Sequence, residues 1–288
     1  MFDHDETLDE ARSRNIRDAL FEDVGRCDWT GRLVPAGQRV KAHVRVREAA
    51  VLCGRDWFDG TVRALDPEAV LDWACAEGAD MTADTVVLRI EADARALLAA
   101  ERPALNFLQL LSGTATITRA HARAIEGASP NPRGCVVLDT RKTIPGLRLA
   151  QKYAVRCGGG ANQRLALYDG ILIKENHIAA AGGVSAAMAA ALALRAGVSI
   201  QIEVETLAQL AEALEAGATS VLLDNFDEAR MREAVALTAG RALLEVSGGV
   251  TLDQLRGIAA TGVDRISIGK LTKDVRAVDY SMRVDGPC

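Results

Sequence analysis

No CxxC pair occurs among the six cysteines of this 288-residue chain, Cys27, Cys53, Cys75, Cys135, Cys157 and Cys288. Several of them lie in apolar runs, where a reduced, buried thiol is expected. The four histidines, His4, His43, His121 and His177, are scattered without metal-ligand spacing, which argues against a transition-metal centre. No apolar run approaches the roughly twenty residues of a membrane span. The opening, MFDHDETLDEARSRN, is acidic and has no apolar signal region. A soluble, cytoplasmic protein with no membrane partner is therefore expected. Positive net charge is missing too: at -5 the chain lacks the basic excess of a nucleic-acid binder.

What is present is a long chain, 49% hydrophobic and 25% charged, able to bury a large core as one barrel or two modest domains. Against its acidic balance, residues 138–177 concentrate Arg141, Lys142, Lys152, Arg156, Arg164 and Lys174. Arg141-Lys142 and Lys174 directly follow the short apolar runs Val136-Val137-Leu138 and Ile171-Leu172-Ile173. Cations at the ends of buried strands point to a pocket for a small, highly anionic ligand.

The first hundred residues read as a mixed α/β module. A helix is expected over 8–22, with Ile16, Leu20 and Phe21 on one face. Residues 40–46 alternate as a strand with one solvated face. Further strands are expected at 51–53, 70–75 and 86–90, with a helix over 57–65. A long helix follows over about 104–126, where Leu105, Leu108, Leu111 and Ala115 keep a helical period. Gly113 inside it points to close packing or a bend.

From Cys135 the pattern becomes β-α alternation, with short apolar runs at 135–138, 171–173, 199–204, 220–223, 243–246 and 265–268. Six such strands imply a parallel sheet buried on both faces, too few for a closed eight-stranded barrel. Ligands then bind at the carboxyl ends of the strands. Those ends carry Arg141 and Lys142, Lys174, Glu203, Asp224, the Ser247-Gly248-Gly249 turn and Gly269-Lys270. Glu203 and Asp224 oppose the cations and suit a Mg²⁺–polyphosphate or sugar hydroxyls, and the two glycine turns suit a phosphate. For Lys152 and Arg156, covering a helix face is the simpler reading. Glu205 and Glu245 read equally well as barrel-lining or surface charges, and Glu175 and His177 as caps of the following helix. Unpaired charges inside a sheet need a reason to persist, which favours function for Arg141, Lys142, Arg164, Lys174, Glu203 and Asp224.

Several ordered motifs make the chain resemble the quinolinate phosphoribosyltransferase family. They are ERPALNFLQ from Glu101, LSG from Leu111, DTRKT from Asp139, KYAVRCGGG from Lys152, LIKENH from Leu172, LLDN from Leu222, EVSG from Glu245 and SIG from Ser267. The resemblance covers nearly the whole chain. It implies an α/β protein with an N-terminal α/β sandwich domain and an open six- to seven-stranded parallel α/β barrel. The sandwich domain would take residues 1–110, rejoined by 276–288, and the barrel 111–275. It implies phosphoribosyl transfer from phosphoribosyl pyrophosphate to quinolinate with Mg²⁺ and loss of CO₂, in a homodimer whose active sites are shared between subunits. Carried over by residue, Arg102 would reach the partner's quinolinate, and Arg141, Arg164 and Lys174 would hold its ring carboxylates with Gln163 beside them. Lys142 would sit between the substrates, Glu203 and Asp224 would face ribose and Mg²⁺, and Ser247, Gly248, Gly249 and Gly269 would cradle phosphate. Two departures stand out: the family usually has Asn-His-Arg where this chain has Asn162-Gln163-Arg164, and Lys270 stands where a small residue is common. Glutamine keeps a hydrogen-bond donor but carries no charge. A non-decarboxylating nicotinate phosphoribosyltransferase, a Schiff-base aldolase using Lys174, and a silent anion binder remain the alternative readings.

Overall fold

The protein is described by a computed structural model covering residues 4–288. Helix α1 (Leu8–Asp23) begins at a reciprocal cap. The Thr7 hydroxyl accepts the Glu10 N–H at 3.3 Å, and the Glu10 carboxylate accepts the Thr7 N–H at 2.8 Å. Phe21 does not share the inner face with Ile16 and Leu20; it is 81% exposed. Five residues beyond Ile16, it lies about 140° round a helix of 3.6 residues per turn.

Strand β1 (Arg39–Val46) buries Val40, Ala42, Val44 and Val46, the period-two pattern of a sheet covered on one face. After it come β2 (Ala50–Val51), α2 (Arg55–Leu65), β3 (Val70–Trp73), β4 (Asp80–Met81) and β5 (Thr85–Asp93). Helix α3 runs over Ala94–Ile125 and so begins well before the expected start at residue 104. The Asp93 carboxylate accepts the Ala96 N–H at 3.0 Å, and the ARALLAA run is made of strong helix formers. Pro103 is accommodated inside the helix, at the loss of one backbone hydrogen bond. Leu97, Leu105 and Leu108 of α3 join Val44, Leu88 and Ile90 in one core. At Gly113 an added Cβ would collide with the Arg276 carbonyl oxygen and stand 3.1 Å from Val275 Cγ1. Close packing, not a bend, is what this glycine serves.

The alternating region comprises β6 (Val136–Leu138), α4 (Arg148–Cys157), β7 (Gly170–Ile173), α5 (Glu175–Ala181), α6 (Val184–Ala193), β8 (Ser199–Val204) and α7 (Leu207–Glu215). It continues through β9 (Ser220–Asp224), α8 (Glu228–Thr238), β10 (Leu243–Ser247), α9 (Leu255–Ala260), β11 (Arg265–Ser267) and α10 (Lys270–Lys273). The strands form one parallel six-stranded sheet in the order β6-β11-β10-β9-β8-β7. Ile202, Val204, Val221, Leu223, Val246 and Ile266 are at most 1% exposed, as a sheet covered on both faces requires. Because the first strand pairs with the last, the sheet is a barrel left open between β6 and β7. At that opening Ala161 bridges to β6: its N–H reaches the Val137 carbonyl at 2.9 Å, and its carbonyl accepts the Asp139 N–H at 3.2 Å.

Strand β12 (Tyr280–Pro287) returns to the first sheet, giving the antiparallel order β12-β1-β5-β3. Two compact units result. One takes the chain through Arg119 with Thr143–Gly159 and Thr272–Cys288; the other takes Ala120–Lys142 and Gly160–Leu271. These limits differ from 1–110 and 111–275 because α3 is continuous through Arg119 and α4 packs with the N-terminal helices. The Trp57 and Tyr153 rings lie 5.5 Å apart, and Asn15 donates to the Gly146 carbonyl at 3.0 Å. Lys152, read as covering a helix face, is instead 1% exposed within this unit. Arg156 stays exposed, 6.0 Å from the Tyr153 ring centroid. Among the described residues no single helix is long and apolar enough to cross a membrane.

Candidate active site

The carboxyl ends of the barrel strands carry Arg141, Lys142, Lys174, Glu203, Asp224, Ser247, Gly248, Gly249 and Gly269; Gln163 and Arg164 lie on the segment after the Ala161 bridge to β6, and Arg102 belongs to the first unit and is exposed on α3. After β6, Asp139 is fully buried. Its carboxylate accepts the Asn162 amide at 2.6 Å and the Gln163 N–H at 3.0 Å, gripping the Asn162-Gln163-Arg164 segment. The Thr140 hydroxyl accepts the Lys142 N–H at 3.1 Å and turns the chain. Gly269, beyond β11, leaves space for the Lys142 stem, since a Cβ there would stand 3.1 Å from Lys142 Cδ.

Arg164 donates to the Gly170 carbonyl at 2.9 Å, at the start of β7. Burial lowers its pKa, and the positive charge of Arg141 lowers it further. Two guanidiniums close enough to repel one another form a site that a dianion would relieve. Lys174, directly after β7, meets Glu203 of β8 at 3.0 Å. His177 Nδ1 accepts the Lys174 N–H at 3.0 Å and so caps α5. Burial raises the Asp224 pKa, as does the charge of Glu205, while Lys174 and Lys142 pull it down. Asp224 therefore lies within electrostatic reach of both lysines.

Ser247 ends β10 in register with Asp224. Gly248 has φ 112°, and a Cβ there would collide with Asn225 Oδ1; Gly249 has φ 59° with open space around it. The left-handed turn needs glycine, and successive N–H groups in such turns suit an anion. Lys270, at the start of α10, is exposed.

Gln201 and Glu245 take a larger part than the sequence suggests. The Gln163 amide donates to Gln201 Oε1 at 2.7 Å, and the Gln201 amide donates to Glu245 Oε2 at 2.8 Å and to Ser220 Oγ at 3.2 Å. Glu245 is 1% exposed; burial raises its pKa, and the hydrogen bonds of Gln201 and Ser267 partly offset this. The one available signal is period two: Gln201 shares its strand face with Glu203.

A second cluster lies in the first unit, where Cys53 Sγ, Cys157 Sγ and a Glu77 carboxylate oxygen fall within 4.8 Å of one another. A hydrogen bond with Cys53 lowers the Cys157 pKa, and burial raises that of Cys53. The Glu77 carboxylate is already taken by the Gly54 N–H at 2.8 Å, the Arg55 N–H at 3.3 Å and the Tyr153 hydroxyl at 3.1 Å. Its work is to cap α2.

A cationic rim facing carboxylates at the strand ends of an open parallel barrel defines an α/β-barrel enzyme of anionic small molecules. The chain belongs to the quinolinate phosphoribosyltransferase family. The model of the family's C-terminal domain matches residues 114–283, and that of its N-terminal domain residues 28–112. The nicotinate-nucleotide pyrophosphorylase [carboxylating] of Mycobacterium leprae is 40% identical over 285 residues, covering 96% of this chain and 97% of its own. The probable enzyme of that name from Bacillus subtilis is 38% identical, covering 92% and 90%. The solved nicotinate-nucleotide pyrophosphorylase of Francisella tularensis superposes with a TM-score of 0.91 at 40% identity, covering 98% of both chains.

Proposed function

We infer that the protein transfers the phosphoribosyl group of phosphoribosyl pyrophosphate to quinolinate, releasing pyrophosphate and CO₂ and forming nicotinate mononucleotide for NAD biosynthesis. The observation that carries this is the set of cations gathered around β6 and β7, where Arg141 lies within electrostatic reach of Arg164 and Lys174 meets Glu203 at 3.0 Å. A pyridine bearing adjacent carboxylates answers that charge, and guanidinium forks bind carboxylates bidentately. Arg141, Arg164 and Lys174 grip the ring, with Gln163 lining it. Ser247, Gly248, Gly249 and Gly269 receive phosphate through backbone N–H groups. Lys142 lies between the substrates.

As the ribose–pyrophosphate bond breaks, Glu203 and Asp224 stabilise positive charge developing on the ribose. The ring nitrogen forms the new bond to ribose and becomes cationic. The electron pair of the bond to the adjacent carboxylate then flows into the cationic ring as CO₂ departs, and a proton takes its place. Positioning and electrostatics supply most of the rate.

Glu203 and Asp224 are the residues that would hold Mg²⁺. The fit rests on Asp224, a carboxylate under repulsion from Glu205 that a divalent cation would relieve. Bound there, Mg²⁺ supplies neutralisation of the pyrophosphate charge. A homodimer is part of the same reading, with Arg102 of one subunit serving its partner's site. So is the cytoplasm, a reducing compartment that suits six free cysteines.

The aldolase alternative is disfavoured because Lys174 is 46% exposed and ion-paired, whereas a Schiff-base lysine is activated by desolvation or by a neighbouring cation. Incubation with quinolinate, phosphoribosyl pyrophosphate and Mg²⁺ should yield nicotinate mononucleotide and CO₂ in equal amounts, and a chelator should stop both. Turnover of nicotinate in place of quinolinate, without CO₂, would reject the decarboxylating reading.

A further inference from the structure

Gln163 stands where the family usually carries histidine, and the barrel interior gives its amide a fixed polarity. A carboxylate only accepts hydrogen bonds. Glu245, 1% exposed on β10, therefore makes Gln201 turn its NH₂ group inward. That leaves the Gln201 carbonyl for Gln163, which turns its own NH₂ inward in the same way. The Gln163 carbonyl then faces its own backbone and accepts the Arg164 N–H at 2.5 Å. From the other side, Asp139 holds Asn162 and the Gln163 N–H. The segment leading into Arg164 is thus clamped twice, and one clamp is oriented by the Glu245 carboxylate, which holds Gln201 and bears on Gln163 as well.

We propose that Gln201 and Glu245 are positioning residues, which hold the Gln163-Arg164 segment in the geometry that receives the pyridine dicarboxylate. The proposal rests on the reading of Arg164 as a carboxylate ligand. It also accounts for a neutral residue at 163. The amide chain delivers a hydrogen-bond donor at 163 without adding a further positive charge next to Arg164.

The test measures the dissociation constant of pyridine-2,3-dicarboxylate by titration calorimetry, together with KM for each substrate. The proteins are wild type, Gln201→Leu and Glu245→Leu, each checked for folding by circular dichroism. Breaking the chain leaves buried polar groups unmatched, so both variants should bind the dicarboxylate about tenfold or more weakly. KM for phosphoribosyl pyrophosphate should stay within about twofold. Should Gln201→Leu fail to fold, Glu245→Leu decides. Wild-type dicarboxylate binding in the folded variants overturns the proposal. So does an equal loss for both substrates, the mark of a merely structural role. A wild type that does not bind the dicarboxylate at all rejects the assigned substrate itself, a result distinguishable from unaltered binding in the variants.

Discussion

Arg141 lies within electrostatic reach of Arg164, and a dianion would give both guanidiniums a common partner. Arg141→Ala should therefore lose about 2–5 kcal/mol of transition-state binding, the usual cost of truncating one member of a buried charge pair. A kcat/KM within a few fold of wild type would contradict the assignment. Glu245 carries a different consequence. Burial raises its pKa above the ordinary 4.5, so the folded protein binds that proton more tightly than the unfolded chain does. Between the ordinary and the raised value, each increment of pH favours unfolding, and this part of the stability is lost as pH rises through the folded pKa. Glu245→Gln cannot ionise and should flatten that span of the profile. Calorimetric midpoints from about pH 4 upward test this, and parallel profiles for the two proteins would refute it. Charged residues at strand ends are legible in sequence because the apolar run before them marks the strand. Gln201 and Glu245 are not, since an isolated polar residue in a strand reads equally well as lining, surface or site.

At the scale of elements, apolar periodicity locates the six barrel strands and most helices, because each period is written in adjacent residues. Helix α3 shows where this fails: the period of Leu105, Leu108 and Leu111 marks a start near residue 104, yet the alanine- and leucine-rich residues ahead of Pro103 carry the helix back to Ala94. Phe21 shows the same limit, an apolar residue that stays exposed among the described residues. Gly113 makes a testable point of element packing. In an open helix, Gly→Ala gains about 1 kcal/mol. Here the added methyl meets the Arg276 carbonyl, so Gly113→Ala should instead destabilise by roughly 1–3 kcal/mol, the range for overpacking. Urea unfolding decides the sign, and a gain in stability would show that the loop at Arg276 yields.

For the whole molecule, the chain crosses between its two compact units more than once, so α4 and the C-terminal strand join the N-terminal sheet's unit. Family membership adds the expectation of a shared dimeric site. Arg102→Ala and Lys174→Ala, each inactive alone, should regain activity when mixed and allowed to exchange subunits, because some mixed dimers hold one intact site. No recovery after verified exchange would remove Arg102 from the partner's site.

The cation-rich stretch, the β-α alternation and the glycine turns were set by the sequence itself, since each depends on near neighbours and on the chemistry of the residue types. Only the folded sheet decided that β6 pairs with β11 and leaves an opening beside β7, and that Lys152 is buried. The same holds for the amide chain, whose links join residues 38 and 44 positions apart. Contacts of that span follow from the order of strands in a sheet, which no local period encodes.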